Sequence, residues 1–413
     1  MNSQIDGPQA RMAPVDSVEY RHGSLRVAVL TGGGDRPYAL GLASALISQG
    51  VAFDFIASDE LDDRSLHENV LVNFLNLRKE MRANVSSTRK VARVLLYYWR
   101  LLIYAATSKA KLFHILWNNK FAVLDRTVLM LYYKALGKRI VLTVHNVNAG
   151  LRDGNDSAIN RLTLRIQYQL SDHFFVHTEQ MKLELCSSFE VPVDKVSVIP
   201  FGINSTVPNT GLKSEKAKAR IGLSSSNKAI LFFGNIAPYK GLEHLVQALA
   251  LLVAKDPDYK LVIAGRPKNC AGYWEDIQRQ IKSLRLQQYI IEKIEYIPDE
   301  ETEIYFRAAD LLILPYVNIF QSGVLFLGYN FGLPVVATDV GSLREEILEG
   351  QTGFVCSPGS PPALAEKIEA YFLSSLYRQL PSARSDISDF AAEKYSWTKV
   401  GDITRTVYAR WTN

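Results

Sequence analysis

The sequence has few cysteines and no long apolar run. Its 413 residues include three cysteines, Cys186, Cys270 and Cys356, which are far apart and form no CxxC pair. Isolated cysteines in an odd number predict reduced thiols and exclude a disulfide framework or a cysteine zinc site. No run of eighteen apolar residues is present, so no transmembrane helix is predicted. The polar first residues lack a signal-peptide core, and we therefore expect a cytoplasmic protein.

One segment has almost no acidic residues. Between Arg78 and Arg139 there are fourteen lysines and arginines but only two acids, Glu80 and Asp125. The formal net charge is +5, so the rest of the chain is mildly acidic. Positive charge concentrated in this way favours a negatively charged partner. Nucleic acid is a weaker candidate because no recognition module is present, and we expect no nucleic acid partner.

Strand-like and helix-like segments alternate along the chain. Apolar runs typical of strands include 25–30, 139–144 and 229–233, and helix-like segments separate them. This alternation predicts an α/β fold with parallel sheets, and the length suffices for two domains with separate cores. We predict a disordered lead-in over 1–23, an N-terminal domain over 24–207 and a C-terminal domain over 208–394.

The most informative stretch runs from Leu311 to Glu346. An apolar run ends at Pro315, a polar turn follows, and a helix-like segment then leads to a second apolar run at 335–338. This is the strand–loop–helix–strand order of a βαβ crossover. A small-residue loop that opens a helix presents free N–H groups and the positive end of the helix dipole, which suits a diphosphate. An ordinary crossover without a ligand has the same pattern.

The individual residues of this stretch favour a ligand-binding crossover over an ordinary one. From Gln321 to Pro358 the sequence reads QSGVLFLGYNFGLPVVATDVGSLREEILEGQTGFVCSP. It resembles the donor-binding region of the retaining GT-B glycosyltransferases of glycosyltransferase family 4, in the variant with an SGV motif. Nearly the whole chain shares the resemblance, including TVH at 143–145, VIPFG at 198–202 and KG at 240–241. It implies two Rossmann-like domains facing each other across a cleft, with a last segment, about 395–413, that crosses back to the first domain.

The resemblance also implies where a nucleotide sugar binds. It makes His145, at the end of a predicted strand, a catalytic candidate near the reacting sugar, and Gln321 a candidate to hydrogen-bond that sugar. The donor-binding candidates surround the diphosphate and the ribose, and they are Gly33, Gly34, Asn235, Lys240, Arg266, Ser322, Gly323, Val324 and Glu345. A tight turn explains the glycines equally well, and an isolated histidine is usually structural.

The sequence departs from the family at two places. Many members carry two glutamates eight positions apart, whereas this chain has no glutamate between Asp310 and Gly332, and the aligned places are roughly Ile319 and Leu327. Asn235 stands where the family has an arginine. Without a carboxylate nucleophile, we expect front-face attack with retention rather than a covalent glycosyl-enzyme. No histidine cluster is present and no motif argues for a metal site, so we expect no metal and no other cofactor.

The basic segment contains a helix-like stretch over 91–105 that mixes basic and aromatic residues. Such a helix can lie in a membrane interface. The residues assigned to an anionic membrane surface are Arg89, Lys90, Arg93, Trp99 and Arg100, and the rings of Tyr97, Tyr98 and Trp117 are expected in the same headgroup layer. The alternative is a helix packed on the sheet, with arginines that reach solvent.

Three functions fit these observations. The first is a retaining hexosyltransferase that moves sugar from a nucleotide sugar to a lipid-linked or polysaccharide acceptor in cell-surface glycan synthesis, at the inner face of the membrane. The second is a nucleotide-sugar epimerase on the same fold, which needs acidic and basic groups around the hexose. The third is a catalytically inactive GT-B scaffold, for which the missing glutamates and the missing arginine are the argument.

Overall fold

Two parallel sheets organise the chain. The computed structural model describes residues 26–33, 35–79, 87–152, 156–203, 207–268 and 270–411, with the backbone alone at Ser87, Thr88, Lys90 and Arg152. The first sheet has the order β3-β2-β1-β4-β5-β6-β7 and the second has the order β10-β9-β8-β11-β12-β13. Every described strand pair is parallel. The prediction of two Rossmann-like domains is confirmed.

The described residues of the first domain form seven strands and eight α-helices. The strands are β1 Val27–Leu30, β2 Phe53–Ala57, β3 Val72–Asn76, β4 Leu112–Ile115, β5 Arg139–Thr143, β6 His173–Val176 and β7 Val196–Val198. The helices are α1 Arg36–Ser48, α2 Arg64–His67, α3 Ser87–Thr107, α4 Ala122–Leu124, α5 Met130–Ala135, α6 Ala149–Arg152, α7 Ala158–Leu170 and α8 Glu179–Phe189, with a π-helical turn between α4 and α5. Most strands are apolar and buried along their whole length, as expected for parallel sheets covered by helices on both faces.

The second domain repeats this pattern. Its strands are β8 Lys228–Phe233, β9 Tyr259–Ala264, β10 Ile290–Lys293, β11 Leu311–Leu314, β12 Val335–Thr338 and β13 Gly353–Cys356. Its helices are α9 Ser214–Arg220, α10 Leu242–Val253, α11 Ala271–Ser283, α12 Asp299–Ala308, α13 Gly323–Asn330, α14 Leu343–Glu346, α15 Pro361–Leu373, α16 Ser375–Arg378 and α17 Leu380–Lys394. The sheet order reverses direction between β8 and β11, where open α/β sheets bind their ligands.

The two domains are connected twice, and the two connections are hydrogen bonded to each other. The amide of Ile203 donates to the carbonyl of Tyr395 at 3.0 Å, and the Trp397 indole donates to the carbonyl of Ile203 at 2.9 Å. The last helix, α18 Trp397–Ala409, packs against α1 of the first domain. Gly401 allows this close approach, because a Cβ there would lie 2.9 Å from the carbonyl oxygen of Ala45. The predicted return of the last segment to the first domain is therefore confirmed.

Helix α3 divides its aromatic residues between core and surface. Tyr97 and Tyr98 are buried, and their hydroxyls donate to Asn119 at 2.6 Å and to Asp125 at 3.0 Å. The prediction that these two rings lie at the membrane surface is wrong, because the helical period turns them towards the sheet. Trp99, at the next position, is 61% exposed and stays available at the surface.

Part of the basic segment serves internal contacts. Lys134 and Arg139 pair with Asp172, at 2.9 and 3.1 Å, and the Lys138 ammonium donates to two backbone carbonyls. Arg100 donates to the carbonyl of Leu77 at 3.3 Å and, like Arg93, is half-buried. The exposed basic side chains of this segment are Lys79, Arg89, Lys109, Lys111, Lys120 and Arg139, while the side chain of Lys90 lies outside the described part. The charge that faces solvent is thus smaller than the sequence count implies.

Candidate active site

A cleft lies between the carboxyl edges of the two sheets. Its volume is about 400 Å³, within the range of small-ligand sites. Asp35, Tyr38 and Trp397 line it from the side of the first domain, and the loop after β8 and the start of α13 line it from the second. Six of the predicted site residues line this cleft, namely Asn235, Lys240, Gln321, Ser322, Gly323 and Val324.

Lys240 is a buried cation in the loop between β8 and α10. Its side chain is buried, and its Nζ lies 3.5 Å from the carbonyl oxygen of Phe233 and 5.5 Å from the ring centre of Tyr316. Gly234 leaves room for the ammonium, because a Cβ there would lie 3.2 Å from Nζ. Within the described residues no carboxylate pairs with Lys240. Burial, together with the charge of Lys268, lowers the pKa of Lys240 to about 8.

The start of α13 offers unused hydrogen-bonding groups. Gln321 immediately precedes Ser322, and its amide Nε2 and Oε1 atoms are both buried without a partner in the described structure. The Ser322 hydroxyl lies 3.1 Å from the Tyr316 hydroxyl, and no side chain caps the helix. Free amides and an uncapped helix start can receive the oxygens of an anionic ligand.

His145 lies beside the cleft rather than in its lining. Its ring stacks on Trp117, with centres 4.1 Å apart, and meets Tyr38 edge-on at 4.8 Å. Tyr38 itself lines the cleft, so His145 contacts a residue of the cleft wall. Burial lowers the pKa of His145 well below its ordinary value, nearby His177 and His114 lower it further, and the Leu116 carbonyl opposes the shift. The imidazole is therefore neutral at physiological pH.

His145 and the neighbouring His177 share a hydrogen bond. His145 Nδ1 and His177 Nε2 lie 3.1 Å apart, and the tautomers of the two rings decide which nitrogen donates. His177 Nδ1 lies 3.4 Å from the carbonyl oxygen of Ile199. His145 Nε2 is buried and has no partner of hydrogen-bond geometry in the described residues.

The other predicted site residues lie outside the cleft lining. Gly33 has φ +78° and is covered by the Arg78 guanidinium, which occupies the space that a Cβ would fill, whereas Gly34 lies outside the described residues. Arg266 is exposed and lies over the ring of Tyr296 at 5.4 Å. Glu345 is exposed on α14. The contacts predicted for these residues with a donor therefore stay predictions.

Two residues of the first domain were missed by the sequence analysis. Asp35 and Tyr38 both line the cleft, and Asp35 caps α1 by accepting the Tyr38 amide at 2.9 Å. The order Gly-Asp-Arg-Pro is a recognisable helix start, so the capping role of Asp35 was accessible from sequence. That its carboxylate faces the second domain depends on the packing of the two domains.

The cleft does not contain the features of a resident metal site. Among the residues that the structure describes, no three histidine, cysteine or carboxylate side chains come together as metal ligands.

None of the described helices is long and apolar enough to cross a membrane. All three cysteines have free thiols, and the Cys270 thiol donates to the carbonyl of Ile236 at 3.1 Å.

Sequence comparison matches two consecutive segments to glycosyltransferase families. Residues 32–207 match the family described as Glycosyltransferase Family 4, and residues 227–373 match Glycosyl transferases group 1. The chain belongs to these glycosyltransferases. The predicted family membership is confirmed. The cleft described above is lined by residues of both matched segments.

The similar proteins support the same family. An uncharacterized glycosyltransferase of Methanocaldococcus jannaschii is 28% identical over 63% of this chain, and a D-inositol 3-phosphate glycosyltransferase of Corynebacterium glutamicum is 26% identical over 55%. These matches span 65% and 57% of the relatives, less than two thirds of each. The Anabaena protein HepE, solved in complex with UDP-glucose, has a TM-score of 0.71 at 15% identity, covering 93% of this chain and 100% of that chain. At this identity the likeness shows the fold alone.

Proposed function

We propose that the protein is a retaining hexosyltransferase that uses a nucleotide sugar as donor. Its acceptor is a lipid-linked or polysaccharide glycan of cell-surface synthesis, and no metal is required. The cleft supports this proposal, because its second-domain wall combines a cation, free amides and a helix start, the groups that hold a diphosphate. HepE binds UDP-glucose on the same fold, so this nucleotide sugar is the first to test.

The observation that carries the proposal is the unpaired burial of Lys240. Placing an ammonium in a buried site is costly unless it is paired. The difference between the ordinary pKa of 10.5 and about 8 corresponds to roughly 3 kcal/mol against the charged form. A diphosphate in the cleft supplies the missing counterion and thereby offsets this cost.

The remaining residues fit the transfer step. Gln321, with both amide atoms unused, binds hydroxyls of the sugar. Asp35 is the single carboxylate of the described cleft lining, and it lies on the first domain, where it caps a helix. The lining residues of the second domain therefore include no carboxylate that could act as a nucleophile. This favours attack by the acceptor hydroxyl on the face from which the diphosphate leaves.

The function is tested with a panel of nucleotide sugars, with and without a membrane extract. A hexosyltransferase releases nucleoside diphosphate only when the extract supplies an acceptor, apart from slow hydrolysis. Conversion of the sugar nucleotide without the extract indicates the epimerase. If neither reaction occurs while nucleotide still binds, the inactive scaffold is the remaining interpretation.

The surface of α3 supports the proposed acceptor and location. Leu95, Trp99 and Ile103 are 60%, 61% and 46% exposed and are four residues apart, so they form one apolar stripe on the helix. Phe121, Val123, Val128 and Leu131, in the segment from α4 to α5, are also exposed. With the exposed Arg89, this stripe supports peripheral binding to the anionic inner face of the membrane, where the first domain would receive a lipid-linked acceptor.

We expect the protein to sediment with vesicles that contain anionic lipid and to be released by salt, which screens the exposed charges. Changing Leu95, Trp99 and Ile103 together to Ser should abolish sedimentation without unfolding the first domain, because all three side chains face solvent. Changing Arg89 and Lys90 together to Glu should weaken sedimentation with anionic vesicles and leave the half-buried Arg93 and Arg100 undisturbed.

The control is Leu373→Ser, which removes a 75% exposed leucine from α15 of the second domain. It should sediment as the wild type does. Equal binding of the wild type to neutral and anionic vesicles would refute the role of the basic residues. Full binding by both sets of variants would leave α3 as an ordinary solvent-facing helix.

A further inference from the structure

The donor side of the cleft lacks the carboxylates that would bind a sugar. Ile319 and Leu327 stand at the places where many members of the family have glutamates, and both are apolar residues of the cleft lining. Lys240 and Asp35 are the only charged residues among those described in the lining. One carboxylate is therefore available to hydroxyl groups in this cleft, and it comes from the opposite domain.

We propose that Asp35 binds hydroxyl groups of the hexose carried by the nucleotide sugar. This rests on the proposed function and deepens it, since it assigns the sugar end of the donor to a residue of the first domain. It also defines the class of sugar, because a carboxylate at this place favours a neutral hexose and repels a hexuronic acid.

The geometry keeps one carboxylate oxygen of Asp35 in place and leaves the other available. Oδ1 accepts the amide of Tyr38 at 2.9 Å, which anchors the side chain at the start of α1. The adjacent Arg36 does not neutralise it, because its guanidinium donates to the carbonyl of Glu60 at 3.0 Å and lies near Asp63. The second oxygen thus remains free to accept hydrogen bonds from a ligand.

The surroundings favour a neutral ligand group near Asp35. Asp35 is exposed to solvent, but the atoms of the cleft around it displace part of its water and raise its pKa. The charge of Asp299 raises this pKa further, although the Tyr38 amide opposes the shift. A phosphate beside this carboxylate would be repelled, whereas Lys240 on the other wall attracts one. A nucleotide sugar therefore has one favourable orientation, with its diphosphate at Lys240 and its hexose between Asp35 and Gln321.

The test compares ligands with and without the sugar. Dissociation constants of UDP-glucose, UDP-glucuronic acid and UDP are measured by calorimetry for the wild type, Asp35→Asn and Asp35→Ser. Asparagine and serine cap helices as aspartate does, so α1 should remain intact and the melting temperature unchanged. We expect UDP-glucose to bind about tenfold more weakly to both variants, UDP to bind equally, and the preference for UDP-glucose over UDP-glucuronic acid to shrink.

The control is Ser157→Asn, since Ser157 caps α7 through the amide of Asn160 at 3.1 Å and does not line the cleft. It should leave all three constants unchanged. Equal weakening of UDP and UDP-glucose, or no change in either, would overturn the proposal and leave Asp35 as a helix cap. If the wild type binds UDP-glucose no more tightly than UDP, only the role of Asp35 is refuted. If the wild type binds none of the three ligands, the proposed use of a uridine nucleotide sugar is refuted as well.

Discussion

Lys240→Ala is expected to weaken nucleotide sugar binding about tenfold to a hundredfold. The substitution removes one charge-assisted contact to the diphosphate, which contributes about 1.5–3 kcal/mol. The apo protein should keep or gain stability, because the variant no longer buries an unpaired ammonium. Calorimetry with UDP-glucose and thermal unfolding without ligand measure the two effects separately.

The same residue predicts a pH dependence of binding. The pKa of Lys240 is lowered to about 8, so in the free protein the ammonium is mostly charged at pH 7 and mostly neutral at pH 9. The diphosphate of a nucleotide sugar stays fully ionised across this range, and affinity should therefore fall about tenfold between these two values. The free energy of unfolding changes with pH in the opposite direction to the affinity. The buried ammonium lowers this free energy by its full amount below pH 8, and the loss disappears as the pH rises towards 10.5.

The matched control is Lys216→Ala, an exposed lysine on α9 of the same domain. It should change neither the affinity nor its pH profile. If Lys240→Ala instead lowers the melting temperature and leaves the dissociation constant unchanged, Lys240 has a structural role and the diphosphate binds elsewhere.

The local pattern of the second domain was sufficient to predict half of the cleft. The apolar runs of β11 and β12 are bounded by Pro315 and Gly332, and the structure places both strands at the predicted residues. The loop that contains Lys240 and the start of α13 follow directly from such strands, so their side chains meet at one sheet edge. These contacts are close in sequence or fixed by strand order, which makes them predictable.

The other half depends on contacts between distant segments. Asp35 and Tyr38 reach the cleft only because α18 returns to α1 and holds the two domains together. The charge count of the basic segment did not distinguish exposed lysines from Lys138, whose ammonium is used by the carbonyls of Ser108 and Ala110. Likewise, the sequence placed His145 at a strand end but gave no sign that Trp117 and Tyr38 would enclose its ring.

Substitution of His145 tests the transfer step separately from nucleotide binding, because its ring lies outside the cleft lining. The family resemblance puts this imidazole near the reacting sugar, and its Nε2 has no partner in the described residues. We therefore expect His145→Ala to lower turnover about a hundredfold, the usual effect of removing one hydrogen-bonding group that acts in the transition state. The dissociation constant of UDP should change less than twofold, because the ring is not part of the cleft lining. Since the ring is held neutral, the wild-type pH profile should show no loss of activity from its protonation near pH 6.5.

A second variant separates chemistry from packing. His145→Phe keeps an aromatic ring against Trp117 but removes both nitrogens, including the unpartnered Nε2. It should therefore retain the melting temperature that His145→Ala loses, since an aromatic pair contributes about 0.5–1.5 kcal/mol beyond its buried area. Its turnover should be as low as that of His145→Ala, while His67→Ala, which removes an exposed histidine paired with Asp62, should remain fully active. Normal turnover in His145→Phe would show that the ring supports the cleft wall by packing and that Nε2 has no part in the transfer.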